Sequence, residues 1–432
     1  MSEMDTLTSS ELGTLPSEWR VQRIDSLFAV QQGKHVSKKN RVGENQRSFL
    51  RTKNVFWGRL VLSDLDEMHF TEAEEKRLAL LPGDLLVCEG GDIGRTAIWN
   101  GALPRCYYQN HLHRARLRDN AAADSQFALY WLWYAFEIGS VYFGRGNVTT
   151  IPNLSQSKLC ELPLPVPPLP EQRKIAGVLG AVQRALEQQE RLLALTAELK
   201  KALLHKLFTA GLRGEPQKQT DLGPVPESWE IKPLDELVED APPVNMRHEA
   251  QREIHYIDVS SISREFLRTE STARYVLNKA PGRARKKVKT GDVIFATVRP
   301  TLLRVARIPP EYDDEVCSTA FCVLRDRNKT TVGRFIYYVA QREQFVKQLA
   351  AIESGVSYPA VTDRQVKAQL VPVPSEDEQI EIATILEACD AKVRLHASKK
   401  QAVTDLFRTL LHQLMTAQIR VHNLDLTDLE GT

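Results

Sequence analysis

The sequence predicts two copies of a mixed α/β (α+β) domain joined by two long helices that pair as an antiparallel coiled coil, a pseudo-twofold internal repeat. Three observations predict this. Residues 150–210 return at 357–417, displaced by 207 positions: Pro152 meets Pro359, Pro165-Val166-Pro167 meets Pro372-Val373-Pro374, Glu171-Gln172 meets Glu378-Gln379, and Leu203-Leu204-His205 meets Leu410-Leu411-His412. Each copy then holds an apolar 3–4 spacing over four heptads. A proline-rich strap stands before each of these stretches. Duplication on this scale speaks of a partner that itself has two similar parts.

The unit begins well before that echo. Leu12-Gly13, Pro16, Trp19, Asp25 and Leu27 return as Leu222-Gly223, Pro226, Trp229, Asp235 and Leu237. The boundaries expected are a first domain over 12–165, a helix over 171–212, a second domain over 222–374 and a helix over 378–420. Strand-like runs in the first domain include Leu60–Leu62, Leu85–Cys88 and Arg114–Leu117. Gly83-Asp84 with its apolar run returns as Gly291-Asp292 followed by Val293-Ile294-Phe295, and Phe127 and Tyr130 return as Phe335 and Tyr338. The aromatic stretch 125–138 reads as a helix whose rings fill a core, with base stacking as the other use of such a stripe. Gly90-Gly91-Asp92-Ile93-Gly94-Arg95 has neither the Gly-Lys-Ser/Thr nor the spacing of a nucleotide loop. It is expected as a tight turn between strands with Arg95 outward.

The straps, Leu162–Pro170 and Leu370–Pro374, are held extended by their prolines and cannot continue a helix. They read as rigid exits from domain to helix. The helices follow over about 171–209 and 378–416. One seam runs through Leu179, Val182, Leu186, Gln189, Leu193, Thr196, Lys200, Leu203 and Leu207. The other runs through Leu386, Cys389, Val393, His396, Lys400, Val403, Phe407, Leu410 and Leu414. Polar residues near the middle lower stability but can fix register. At ~1.5 Å per residue each helix is about 58 Å long. His205 and His412 occupy equivalent places near the helix ends and read as packing residues; no metal site is expected.

Composition bounds the class. The chain has 432 residues, 42% hydrophobic and 26% charged, as for a soluble chain of two or three domains. No apolar run of about 18 residues is present, so no membrane span is expected. The acidic, polar start (Met1-Ser2-Glu3-Met4-Asp5) argues against a secretory signal. Six scattered cysteines form no Cys-x-x-Cys pair, so a reducing cytoplasm is expected. The net charge of +2 balances 57 basic against 55 acidic residues. Local clusters say more: Arg283, Arg285, Lys286, Lys287 and Lys289 in one copy, and Lys34, His35, Lys38, Lys39, Arg41, Arg47, Arg51 and Lys53 in the other. Either could neutralise phosphates or simply be a solvated face; one cluster in each copy favours nucleic acid.

The layout as a whole, a globular domain, a Pro-Leu-Pro strap, Glu-Gln-x-x-Ile-Ala and a long helix, all repeated, resembles the specificity subunit (HsdS) of Type I restriction–modification systems. Leu15-Pro-Ser-Glu-Trp19 and Val225-Pro-Glu-Ser-Trp229 open the units, and the loops Gly144–Asn153 and Ser354–Val361 also look like that family's. The resemblance covers nearly all of the chain. It implies two target recognition domains, each reading half of a bipartite double-stranded DNA site, held apart by the coiled coil. It also implies a non-catalytic subunit that binds DNA methyltransferase (HsdM) subunits, expected as two, and directs adenine methylation. AdoMet would sit on those partners, and this chain would bind no cofactor. Restriction/translocase (HsdR) subunits could join. Consistent with this, the sequence contains neither the Asn/Asp-Pro-Pro-Tyr/Phe tetrapeptide of a methyltransferase nor a P-loop.

Candidate DNA contacts are Arg51, Lys53 and Asn54 on a basic stretch, Arg95 and Arg299 after strands taken as equivalent, and Gln109-Asn110, aligned with Ser318-Thr319. Arg145, Asn147, Ser357 and Tyr358 before the straps and Arg285, Lys286 and Lys287 in the second basic cluster complete the set. The coiled-coil interface is expected through Leu179, Val182, Leu186, Leu193, Leu203, Leu207, Leu386, Val393, Val403, Phe407, Leu410 and Leu414. A coiled-coil scaffold unrelated to DNA is the rival reading.

Overall fold

The computed structural model describes residues 7–119, 121–142, 153–327, 332–355 and 359–421. It divides into two compact units, one drawn from 1–188 and 400–432, the other spanning 189–399. The division cuts both long helices, so each unit owns a half of each.

In the first unit a four-stranded antiparallel sheet runs in the order Thr96–Ile98, Leu85–Cys88, Leu112–Leu117, Phe28–Gln32. A second sheet sets Gln46–Leu50 between Tyr107–Tyr108, which is parallel to it, and Asp66–His69, which is antiparallel. Leu85-Leu86-Val87-Cys88 shows why the run is apolar throughout. Side chains alternate faces along a strand, and here both faces are covered. Leu85 and Val87 join the core around the aromatic helix, whereas Leu86 and Cys88 join Phe49, Met68 and Tyr108.

The aromatic helix spans Ser125–Trp133. Asp124 caps it, its carboxylate accepting the Phe127 N–H at 2.9 Å, and a π-helical turn continues over Tyr134–Ile138. Phe127, Tyr130 and Trp131 are fully buried, so the stripe is core. The Leu60–Leu62 strand is displaced: Arg59–Leu60 pairs with Val55–Phe56 in a short hairpin, and Val61 donates to the Asn54 carbonyl instead.

The second unit repeats the plan. Val238–Glu239, Phe321–Asp326, Val293–Ala296 and Val305–Arg307 form the four-stranded sheet. Glu253–Ile257 again pairs in parallel with its late partner, Val316–Ser318. Val293 and Phe295 face the helices while Ile294 and Ala296 face the other core. The second sheet here gains a fourth strand, Ala284–Lys287, on the far side of Val316–Ser318.

Both straps are strands. Pro163–Val166 pairs antiparallel with Arg20–Arg23, and Leu370–Val373 with Glu230–Pro233. Each leads into a long helix, Leu169–Ala210 or Glu376–Met415. In the first unit Ile175, Ala176 and Leu179 from the start of one helix share a core with Phe407, Leu411, Leu414 and Met415 from the end of the other. In the second unit Leu207 and Phe208 pack with Ile382, Ala383 and Leu386. There Lys200 Nζ lies 2.7 Å from Asp390, and Gln189 Oε1 lies 3.1 Å from His396 Nδ1. Start meets end in both units, so the pairing is antiparallel.

Of the seam residues, Leu179, Leu207, Leu386, Phe407 and Leu414 are buried, while Val182, Leu186, Leu193, Leu203, Val393, Val403 and Leu410 are partly buried. The apolar face is wider than one seam near the helix ends. Phe208, Leu411 and Met415 are fully buried there because the helix packs on its domain as well as on its partner.

Candidate nucleic-acid interface

The repeated motifs build a frame whose main bonds recur. Trp19 donates its indole N–H to Glu171 at 3.2 Å, and Trp229 donates to Glu378 at 3.1 Å. Gln172 and Gln379 donate to the strap carbonyls of Pro167 and Pro374 at 2.8 and 2.9 Å. The Glu-Gln pair thus locks the domain opening, the strap and the helix start together. The Gly-Asp motif has its own partner. Asp84 accepts from Arg116 at 2.6 and 2.7 Å and caps the Leu81 N–H. Asp292 accepts from Arg325 at 2.7 and 2.9 Å and caps the Lys289 N–H. Tyr130 and Tyr338 donate to their long helices, at Gln183 and Asp390.

This frame gathers three loops at one sheet edge in each unit. Leu154 N–H donates to the Glu89 carbonyl at 2.8 Å, and Glu89 N–H donates to His111 at 3.0 Å. His113 is buried, which pushes its pKa below the usual value, and its Nε2 donates to the Leu154 carbonyl at 2.8 Å. In the second unit Val361 donates to Thr297 at 2.9 Å, Arg299 to Pro359 at 2.7 Å, and Thr319 to Arg283 at 2.9 Å. Segments far apart in sequence therefore form one polar rim.

Several sequence candidates land elsewhere. Asn54 is 1% exposed, and its amide holds the turn by donating to Val61 and Asp64. Gln109 and Ser318 are buried too, so their side chains do not face a groove. Arg95 is not turned outward. Its side chain lies over the Phe56 ring and donates to Asp92 and, at 2.8 Å, to the Thr52 carbonyl. Nor is Arg299 its counterpart. Cys88 N–H donates to Arg95 O, and Ala296 N–H donates to Arg304 O, which makes Arg304 the equivalent. Arg304 likewise donates to the Val259 and Ile262 carbonyls. Arg299 follows its strand by three residues and Arg304 by eight, whereas Arg95 follows by seven, so Arg299 falls too early in the loop.

The basic clusters are largely neutralised. Arg51 pairs with Asp66 at 2.7 Å, and Lys53 lies 2.8 Å from Asp64 and 3.3 Å from Asp66; hydrogen bonding to Asp64 raises the Lys53 pKa. Lys286 binds Asp363 and the Phe321 carbonyl, while Lys287 lies 3.1 Å from Asp314 and 3.4 Å from Glu249. Arg285 is partly buried and donates to the Ala284 carbonyl.

Arg299 and Thr319 are exposed on the second rim, and Asn110 is partly exposed on the first. Arg299 is held at φ 49°, a left-handed conformation that sets its direction. Arg145, Asn147, Ser357 and Tyr358 lie outside the described residues. Lys38, Lys39, Arg283 and Lys289, named in the two basic clusters but not among the candidate DNA contacts, are exposed. Among the described residues no group of His, Cys, Asp or Glu could hold a metal ion, and no helix is long and apolar enough to cross a membrane.

A duplicated frame presenting two dissimilar polar rims defines a two-module recognition protein. Comparison with known proteins agrees. The pattern of the Type I restriction modification DNA specificity domain matches residues 16–197 and 226–405. Two Methanocaldococcus jannaschii proteins are each 21% identical. The putative type I restriction enzyme MjaX specificity subunit matches over 96% of this chain and 97% of its own length, and the MjaVIII specificity subunit over 95% of both. The crystal structure of the Type I restriction–modification S subunit from M. genitalium shares the fold, with TM-score 0.58 and 19% identity over 92% of this chain and 96% of that one. The chain belongs to the family of Type I restriction–modification DNA specificity subunits.

Proposed function

We propose that each unit reads one half of an asymmetric, bipartite duplex DNA site and that the chain directs adenine methylation without performing chemistry itself. The observation that carries this reading is the contrast within the repeat. Buried frame bonds recur, Trp19–Glu171 as Trp229–Glu378 and Asp84–Arg116 as Asp292–Arg325. The rims carry different side chains at a matching place, Asn110 against Thr319, and the short turns Thr52–Asn54 and Val259–Ser261 differ as well, Lys53 against Ser260. A shared frame with two readers addresses two unlike half-sites.

In this reading the partners are AdoMet-dependent methyltransferase subunits, two per chain, with restriction/translocase subunits joining for cleavage. The setting is a reducing prokaryotic cytoplasm; the six cysteines are unbonded thiols. The test is a gel shift with a duplex carrying both half-sites, titrated with salt and repeated with methyltransferase subunits. Specific binding should outlast non-specific binding by about a thousandfold or more at physiological salt. Equal affinity for scrambled duplex, with and without those subunits, would leave the chain a scaffold.

A further inference from the structure

The second unit contains a buried cation that no anion meets among the described residues. Arg342 is 9% exposed and lies at a cavity of about 650 Å³, and among the described residues its side chain has no ion pair or hydrogen bond. Its guanidinium rests on the Phe208 ring, with 5.0 Å between the guanidinium carbon and the ring centroid. Desolvation alone pushes its pKa down to about 10. A buried charge without a partner is costly unless something completes it. Glu343 beside it is engaged with Lys347 at 2.6 Å.

The surroundings favour an anion. Arg342 is also the N-cap of the helix Glu343–Ile352, whose first turn lines the cavity, and no side chain caps that end. Unbonded N–H groups at a helix start favour negative charge. Lys201 and His205 stand at the cavity beside the Glu343–Lys347 pair, and Leu204, Leu222 and Leu303 give it apolar walls. The first unit fills the matching place differently. Tyr134, 208 positions before Arg342, packs 5.7 Å from His412, the counterpart of His205. At this place, then, an aromatic ring contact in one unit stands where the other has a buried guanidinium at a cavity.

We infer that this cavity is a docking site for an acidic, apolar peptide segment of a protein partner, one carboxylate of which meets Arg342 and the helix start. Charge complementarity and the alternation of apolar and basic walls favour that occupant. Duplex DNA is too broad to bring a phosphate to a side chain 9% exposed, whereas a single extended chain can enter.

The probe is a labelled hexapeptide of alternating leucine and glutamate, titrated into the full chain by fluorescence anisotropy. Controls are its leucine–glutamine counterpart and inorganic phosphate as competitor. The glutamate peptide should bind at least tenfold more tightly than the glutamine peptide. Arg342→Gln should remove that preference, and Arg342→Lys should restore part of it. A thermal melt of each variant checks folding, and Lys201→Gln on the exposed rim gives a second, milder loss if Arg342→Gln unfolds. Equal binding of the two peptides, binding of neither, or an unchanged preference in both Arg342→Gln and Lys201→Gln would overturn the proposal. Complete displacement by phosphate at concentrations equal to those of the peptide would overturn it in favour of a small-anion site. DNA specificity stands or falls separately, in the gel shift.

Discussion

Asp292→Ala is the sharpest test of the repeated frame. The carboxylate is 3% exposed, takes two hydrogen bonds from Arg325, whose side chain is 13% exposed, and caps the Lys289 N–H. Removing it strands a largely buried guanidinium and an N–H together. Breaking a buried pair from one side costs about 3–5 kcal/mol; we expect about 4 kcal/mol. Asp84→Ala in the first unit breaks the same pair, but Arg116 is 32% exposed and can be rehydrated, so about 2–3 kcal/mol is expected. For a unit of this size 1 kcal/mol moves Tm by about 2–4 °C, so Asp292→Ala should lower its transition by about 8–16 °C in calorimetry. Replacing both partners, Asp292→Leu with Arg325→Leu, should recover most of that loss, because neither charge is then left alone. A shift under about 2 °C, or a double variant worse than the single one, would refute the reasoning.

Arg299→Ala keeps a β-carbon at the left-handed position, so backbone strain is unchanged. Binding of the second half-site should weaken by about 1–3 kcal/mol, measured with duplexes altered in one half at a time, while the first half-site keeps its preference. Lys38→Ala with Lys39→Ala should flatten the plot of log affinity against log salt by up to about two without changing sequence preference; an unchanged slope would remove that loop from the interface. Burial holds the Cys88 thiol up to about 11 and those of Cys106 and Cys322 up to about 12. A raised pKa keeps a thiol protonated until the pH climbs through it. At pH 8 a thiol reagent should therefore label Cys160, the one described cysteine that is not buried, well before these three. Equal labelling rates would contradict the packing.

The frame was legible because its signals are local and repeated. Helices expected over about 171–209 and 378–416 span Leu169–Ala210 and Glu376–Met415, since 3–4 spacing and a proline strap mark a helix without tertiary information. The rim was not, because charge in a sequence does not show its partner. Lys286 is neutralised by Asp363 and Lys287 by Asp314 and Glu249, all distant in the chain. Asn54 reads as a polar residue in a basic stretch, yet the hairpin behind it turns its amide inward. Arg95 and Arg299 each follow a strand of the repeated sheet, and only the bond from Ala296 to Arg304 shows that the counterpart of Arg95 lies five residues beyond Arg299.

The central claim is one frame with two different readers, and methylome sequencing of a host expressing this chain with its methyltransferase subunits tests it most directly. The account predicts methyl-adenine at a bipartite motif, two unlike short sequences separated by a fixed unread spacer. Methylation confined to a continuous or perfectly palindromic site, or none above the level without this chain, would contradict it.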